Sequence, residues 1–146
     1  MIPFKVAFEP GTPLYEQVIY SARRAIICGQ IRPGDTFPSV RELSREFRIN
    51  PNTAHKVVAG LLAERLIEVR VGLGTVVSPP PRSTAAERSR LLKKELEQLV
   101  VQAKQVGLEL RDVLDALTNH WDRLDDSEPQ LSTRATAAKE RGRERP

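Results

Sequence analysis

Apolar residues recur at steps of three and four in several stretches of the chain, each bounded by proline, glycine or short polar residues. Leu14, Val18, Ala22, Ala25 and Ile26 predict a first helix, with Gly29 placed to stop it. Val40, Leu43 and Phe47 predict a second, and Ser39 stands three residues ahead of Glu42, the spacing of a capping box. Ala54, Val57, Val58, Leu61 and Leu62 predict a third. Asn50 is a favoured N-cap for it, and Pro51 loses nothing at the first helical position because that N–H has no intrahelical partner. From Leu66 to Val77 the period changes: apolar and β-branched residues flank Gly72 and Gly74, which predicts a hairpin with a glycine-containing loop. A tight turn over 31–35 precedes a very short strand at Thr36 and Phe37, and residues 1–12 read as an extended arm because Pro3, Pro10, Gly11 and Pro13 prevent a regular helix. The order helix, turn, helix, helix, hairpin is that of a winged helix-turn-helix.

Beyond Ser78 three consecutive prolines predict a stiff linker. A single apolar stripe follows, through Leu92, Leu96, Leu99, Ala103, Val106, Leu110, Val113, Leu117, Trp121 and Leu124. A stripe of that kind has nothing within its own helix to cover it. Either the chain breaks near Gly107 into two antiparallel helices, 86–106 and 108–124, or one long helix runs through and pairs as a coiled coil with a second chain. A glycine inside a helix costs only about 1 kcal/mol, so the spacing leaves both arrangements open. Both leave more apolar surface than one small hairpin buries. A symmetric homodimer is therefore expected, with Leu96, Leu99, Val106, Leu110, Leu117 and Trp121 at its interface. From Asp125 onward the chain is polar and basic, and disorder is the expectation. The expected organisation is a winged helix-turn-helix domain over 13–78, a linker over 79–85, a helical dimerisation region over 86–124 and a tail over 125–146; the fold class is mainly α with a small β-hairpin wing.

Composition narrows the chemistry. The net charge of +4 and a pI near 9.6 fit a polyanionic partner without establishing one. Cys28 is the single cysteine, and His55 and His120 fall in separate segments, so no metal-ligand spacing exists. No glycine-rich phosphate loop follows a strand and no Ser-His-Asp set can be assembled. Neither a cofactor nor a metal nor an enzyme activity is expected. No apolar run approaches the length of a bilayer, so a soluble cytoplasmic protein is expected.

The second and third predicted helices carry the distinctive chemistry. Asn52, His55 and Lys56 lie opposite the apolar stripe of the third, with Thr53 at the flank. Small hydrogen-bonding side chains and one cation near a helix start suit insertion, amide end first, into a DNA groove. An ordinary pair of surface helices with polar outer faces accounts for the same residues.

The resemblance to a known family bears on that choice. PLYEQV at 13–18, G-x-I-x-P-G-D at 29–35, PSVREL at 38–43, NPNT at 50–53, LIE at 66–68 and R-x-G-x-G-T at 70–75 resemble the DNA-binding domain of the GntR family of bacterial transcription regulators. NPNT followed by a short C-terminal region is similar to the YtrA-like branch, whose members append two helices where others carry a large effector domain. The resemblance implies a sequence-specific regulator, a repressor in particular, that binds a palindromic operator in double-stranded DNA as a homodimer. It implies Arg41 as the principal base reader, Arg70 with Gly72 as the wing contact, and the two-helix arrangement of the C-terminal region. Asn52, His55, Thr53 and Lys56 would reach base edges or phosphates, while Asn50 and Ser39 are caps first. Control of a transporter operon and an unidentified small-molecule effector belong to the same implication. The rival from another class is a winged-helix module that binds another polypeptide and would carry an apolar patch on the wing or third helix.

The sequence departs from the family pattern in three places. Arg48 and Arg65 stand where glycine is usual, and Leu73 replaces the cation common at the wing tip. If the backbone stays left-handed at either arginine, the absence of glycine costs on the order of 1 kcal/mol. A guanidinium there suits a phosphate as well as it suits open solvent.

Overall fold

The computed structural model describes residues 2–80 and 82–125, which fall into two compact units, 2–79 and 80–125. In the first, α1 (Leu14–Ile27), α2 (Val40–Phe47) and α3 (Pro51–Ala63) precede an antiparallel hairpin of β1 (Ile67–Arg70) and β2 (Gly74–Val77). The hairpin pairs Ile67 with Val77 and Arg70 with Gly74. Residues 34–37 run beside β2 as well: Phe37 N–H donates to Thr75 O at 2.8 Å and Val77 N–H to Asp35 O at 2.9 Å. The short strand expected at Thr36 is thus a bridge to Val76 that fastens the wing to the α1–α2 connection.

The apolar periods converge on one core. Val18, Ala22 and Ala25 of α1, Leu43 of α2 and Ala54, Val57 and Leu61 of α3 are buried together with Ile31, Phe37, Ile49, Ile67 and Val77. Gly60 faces Ile19 of α1, whose terminal Cδ1 would lie 2.7 Å from a Cβ built there and would have to shift to admit one. The helix stops follow left-handed residues. Gly29 ends α1 with φ +75°, while Arg48 and Arg65 end α2 and α3 with φ 53° and 59°. After α3, Leu66 N–H donates to Leu61 O and Arg65 N–H to Leu62 O, the bonding of a Schellman stop. The left-handed backbone therefore persists at both arginines.

The arm differs from its expectation in one respect. It is extended, but its apolar side chains belong to the core. Ile2 and Phe4 are buried, and the Phe4 ring lies 6.1 Å from Phe37 and 5.6 Å from Phe47. Ile2 N–H donates to Glu46 Oε2 at 2.9 Å, and Gln17 latches the arm to α1 by accepting from Glu9 N–H and donating to Glu9 O and Thr12 O. Prolines excluded a helix correctly. They carried no information about docking.

In the second unit, Thr84 and Glu87 form a reciprocal capping box ahead of α4 (Ala85–Arg90). A π-helical turn (Leu91–Glu95) continues directly into α5 (Leu96–Gln105). The chain then breaks at Gly107, with φ +79°, where Leu108 N–H donates to Ala103 O and Gly107 N–H to Lys104 O. α6 (Leu110–Asp125) follows and does not lie along α5, so the pair forms no packed antiparallel hairpin. The apolar stripe is split between two helices; Ala103 is buried and Val113 and Leu124 are half-buried, and the rest of the stripe is exposed. Beyond Asp125, the expected tail lies outside the described residues.

Candidate nucleic-acid interface

The starts of α2 and α3 are fixed by side-chain caps. Ser39 Oγ accepts from Glu42 N–H at 3.2 Å and donates to Glu42 Oε1 at 3.2 Å, so the glutamate answers the serine hydroxyl rather than its backbone. Asn50 Oδ1 accepts from Asn52 N–H at 2.8 Å, with Pro51 occupying the first turn. These bonds use amides that would otherwise lack intrahelical partners, and they set the angle at which α3 leaves the turn. Asn50→Ala is expected to lower stability by about 1 kcal/mol. Urea denaturation would register this as a shifted midpoint with an unchanged slope.

The outer face between the caps is open. Arg41, Asn52, His55 and Lys56 are exposed and Thr53 is half-buried. No side-chain hydrogen bond or ion pair engages Arg41, Asn52, Thr53 or His55 among the described residues. Lys56 is different, since its Nζ lies 5.4 Å from the centroid of the Tyr15 ring. A cation over an aromatic face at an exposed site gains about 0.5–1 kcal/mol, enough to bias the lysine without holding it. Tyr15 in turn donates its hydroxyl to Glu16 Oε1 at 3.2 Å, and the Glu16 carboxylate, by that bond and by its charge, holds the phenol above its ordinary pKa. The Tyr15 contact is not legible in the sequence because it joins α1 to α3 across the fold.

The wing brings Arg70 and Gly72 to one end of the hairpin. Gly72 has φ +81°, a backbone conformation that opens the turn. Arg70 already has a partner: its Nε donates to Glu68 Oε1 at 2.8 Å and its Nη2 lies 2.6 Å from the same oxygen. Residues two apart on a strand share a face, so this pairing was legible in the sequence. Both side chains remain substantially exposed, and such a pair contributes about 0–1 kcal/mol, too little to keep Arg70 from a phosphate. Val69, Val71 and Leu73 are also exposed, which makes the outer wing apolar.

Three helices around one core, a capped second and third helix and a hairpin tied to the α1–α2 connection define a winged helix-turn-helix protein. The chain belongs to the GntR family of bacterial regulatory proteins, whose pattern residues 14–77 match, and within that family it is YtrA-like. It is 39% identical over 101 residues to the HTH-type transcriptional repressor YtrA of Bacillus subtilis, an alignment covering 68% of this chain and 78% of that one. Its fold is similar to that of a transcriptional antiterminator from Listeria monocytogenes, with a TM-score of 0.73 and 18% identity over 84% of this chain and 92% of the other. A GntR family transcriptional regulator from Listeria monocytogenes shares the fold at TM-score 0.58 and 22% identity, over 77% of this chain and 98% of its own. GntR-family transcription regulators, often repressors, bind DNA, and the relatives are regulators rather than enzymes. Among the described residues, no helix is long and apolar enough to cross a membrane.

Proposed function

We propose that this protein is a sequence-specific transcription repressor that binds a palindromic operator as a homodimer. The observation that carries the reading is the row of exposed donors, Arg41, Asn52 and His55, with no side-chain hydrogen bond or ion pair among the described residues, at the amide end of α3 and beside it on α2. Arg41 takes a guanine edge, and Asn52 and His55 meet further base edges in the major groove. Thr53 and Lys56 supply phosphate or edge contacts beside them. Arg70, exchanging Glu68 for DNA, meets the minor groove or backbone where Gly72 lets the wing approach closely. Ser39 and Asn50 hold the two helices in register, and the N-terminus of α2 also favours a phosphate. Dimerisation through Leu96, Leu99, Val106, Leu110, Leu117 and Trp121 is supported by their exposure in the single chain. A cytoplasmic repressor of a transporter operon, released by a small-molecule effector, extends the same reading.

Selection of bound sequences from random duplex DNA tests it, and a two-fold symmetric consensus is the expected result. Half-sites separated by about one helical turn, roughly 34 Å, suit two recognition helices related by a dyad. On the selected duplex, Arg41→Ala is expected to lower affinity by about tenfold to a hundredfold and to relax preference at one position of each half-site, because a bidentate Arg–guanine pair is worth roughly 1–3 kcal/mol. Unchanged affinity would remove Arg41 from the interface.

The apolar outer wing favours a second reading, a winged-helix module that binds another polypeptide. It predicts no salt-dependent affinity for any duplex. The polar outer face of α3 weighs against it.

A further inference from the structure

We propose that Arg41, Arg45 and Arg48 form one row that follows a DNA phosphate strand, and that Arg48 occupies its left-handed backbone position for the sake of that contact. The inference rests on the DNA-binding reading above and goes beyond it by adding two residues and a role. Arg41 and Arg45, four positions apart, share one face of α2, opposite Leu43 and Phe47, and Arg48 follows at the left-handed cap that ends the helix. They span about 10 Å of helix length, and long side chains over that distance reach more than one phosphate. All three are exposed, and none makes a side-chain hydrogen bond or ion pair among the described residues. Arg45 exerts an attractive field on the neighbouring Glu46 carboxylate without pairing to it.

By count α2 is nearly neutral, since Glu42 and Glu46 accompany the three arginines. In the fold both acids are occupied elsewhere. Glu42 accepts from the Ser39 hydroxyl at the cap, and Glu46 accepts from Ile2 N–H of the arm. Both carboxylates keep their charge but are directed to these partners and not to the arginines, and the arginine row ends two residues before the Asn50 cap of α3. Arg48 has φ 53°, a conformation that glycine adopts without strain and arginine does not. Strain of this kind does not assign a function alone; at Arg48 it coincides with an exposed guanidinium beside Arg41, Arg45 and the start of α3. Arg65 supplies an internal control. It is strained in the same way, with φ 59°, but follows the opposite end of α3, about 20 Å from the amide end.

The test uses the full chain carrying Arg48→Gly, Arg45→Gln or Arg65→Gly, with the selected duplex and a scrambled duplex as probes over a salt series. Arg48→Gly is expected to melt no lower than wild type, yet to bind both duplexes about three- to tenfold more weakly. Its log–log salt slope should be shallower by about 0.9, the signature of one lost phosphate contact. Arg45→Gln should show the same uniform loss, and Arg65→Gly should leave affinity and slope unchanged. Wild-type slope and affinity in Arg48→Gly would overturn the inference while leaving DNA binding standing. A loss confined to the selected duplex would overturn it too, by making Arg48 a base reader. No salt-dependent binding by the wild-type chain would overturn the DNA reading itself, and this inference with it.

Discussion

A chain carrying Leu99→Glu and Leu117→Glu is expected to run as a monomer and to bind its operator about a hundredfold more weakly, or worse, while its affinity for an isolated half-site stays unchanged. The two leucines lie on different helices of the second unit and are 45% and 46% exposed in the single chain. Neither helix covers the other, so the stripe remains available to a second copy. Burying each leucine there contributes about 1.5–3 kcal/mol. A glutamate at the same place would bring an unpaired carboxylate out of water and, by symmetry, face its own counterpart. Loss of the dimer removes the effective concentration that makes the second half-site contact intramolecular, a factor of about 10² to 10⁴. Because both positions are exposed, the first unit should keep its melting behaviour. Sedimentation of both proteins, beside titrations of full and half operators, would check this. A wild-type chain that is monomeric at concentrations where it saturates the operator would refute the dimer.

Phe4→Ala should destabilise the first unit by about 3–5 kcal/mol, although Phe4 lies outside every helix and strand. Its ring is only 5% exposed and fills the space between Phe37 at the wing root and Phe47 on α2. Removing it leaves a cavity under the helix that carries Arg41 and detaches the arm whose Ile2 N–H engages Glu46. A domain of this size is stable by about 5–15 kcal/mol, so the loss is a large share of the total. Phe8 is the control. It meets Phe47 edge-on with ring centroids 6.4 Å apart, but it is 40% exposed, and Phe8→Ala should cost much less. Urea denaturation of the two variants separates the outcomes, and equal losses would mean that Phe4 is not a core residue. Operator affinity of Phe4→Ala should fall only by the fraction unfolded, since the ring touches no proposed DNA contact.

Much of this arrangement is legible in the sequence. The cap at Asn50, the cap at Ser39, the glycine stop at Gly29 and the hairpin around Gly72 all rest on bonds or dihedrals confined to a few consecutive residues, whereas the break at Gly107 was one of two arrangements the spacing left open. The exposed chemistry of α3 followed from the same periodicity, because the residues opposite a buried stripe must face out. Arg48 and Arg65 were suspect positions in the sequence. In the fold each is left-handed and has not relaxed into another turn.

What the chain's order of residues fixed alone is therefore its helices, its turns and the side chains they turn outward, since neighbours a few positions apart decide each of these. Only the folded chain decided where distant segments meet: Phe4 against Phe47, Ile2 on Glu46, Lys56 over Tyr15, and α6 turned away from α5. These depend on packing between elements that no local pattern encodes. They determine which carboxylate of α2 is engaged by the arm and which apolar stripe is left open.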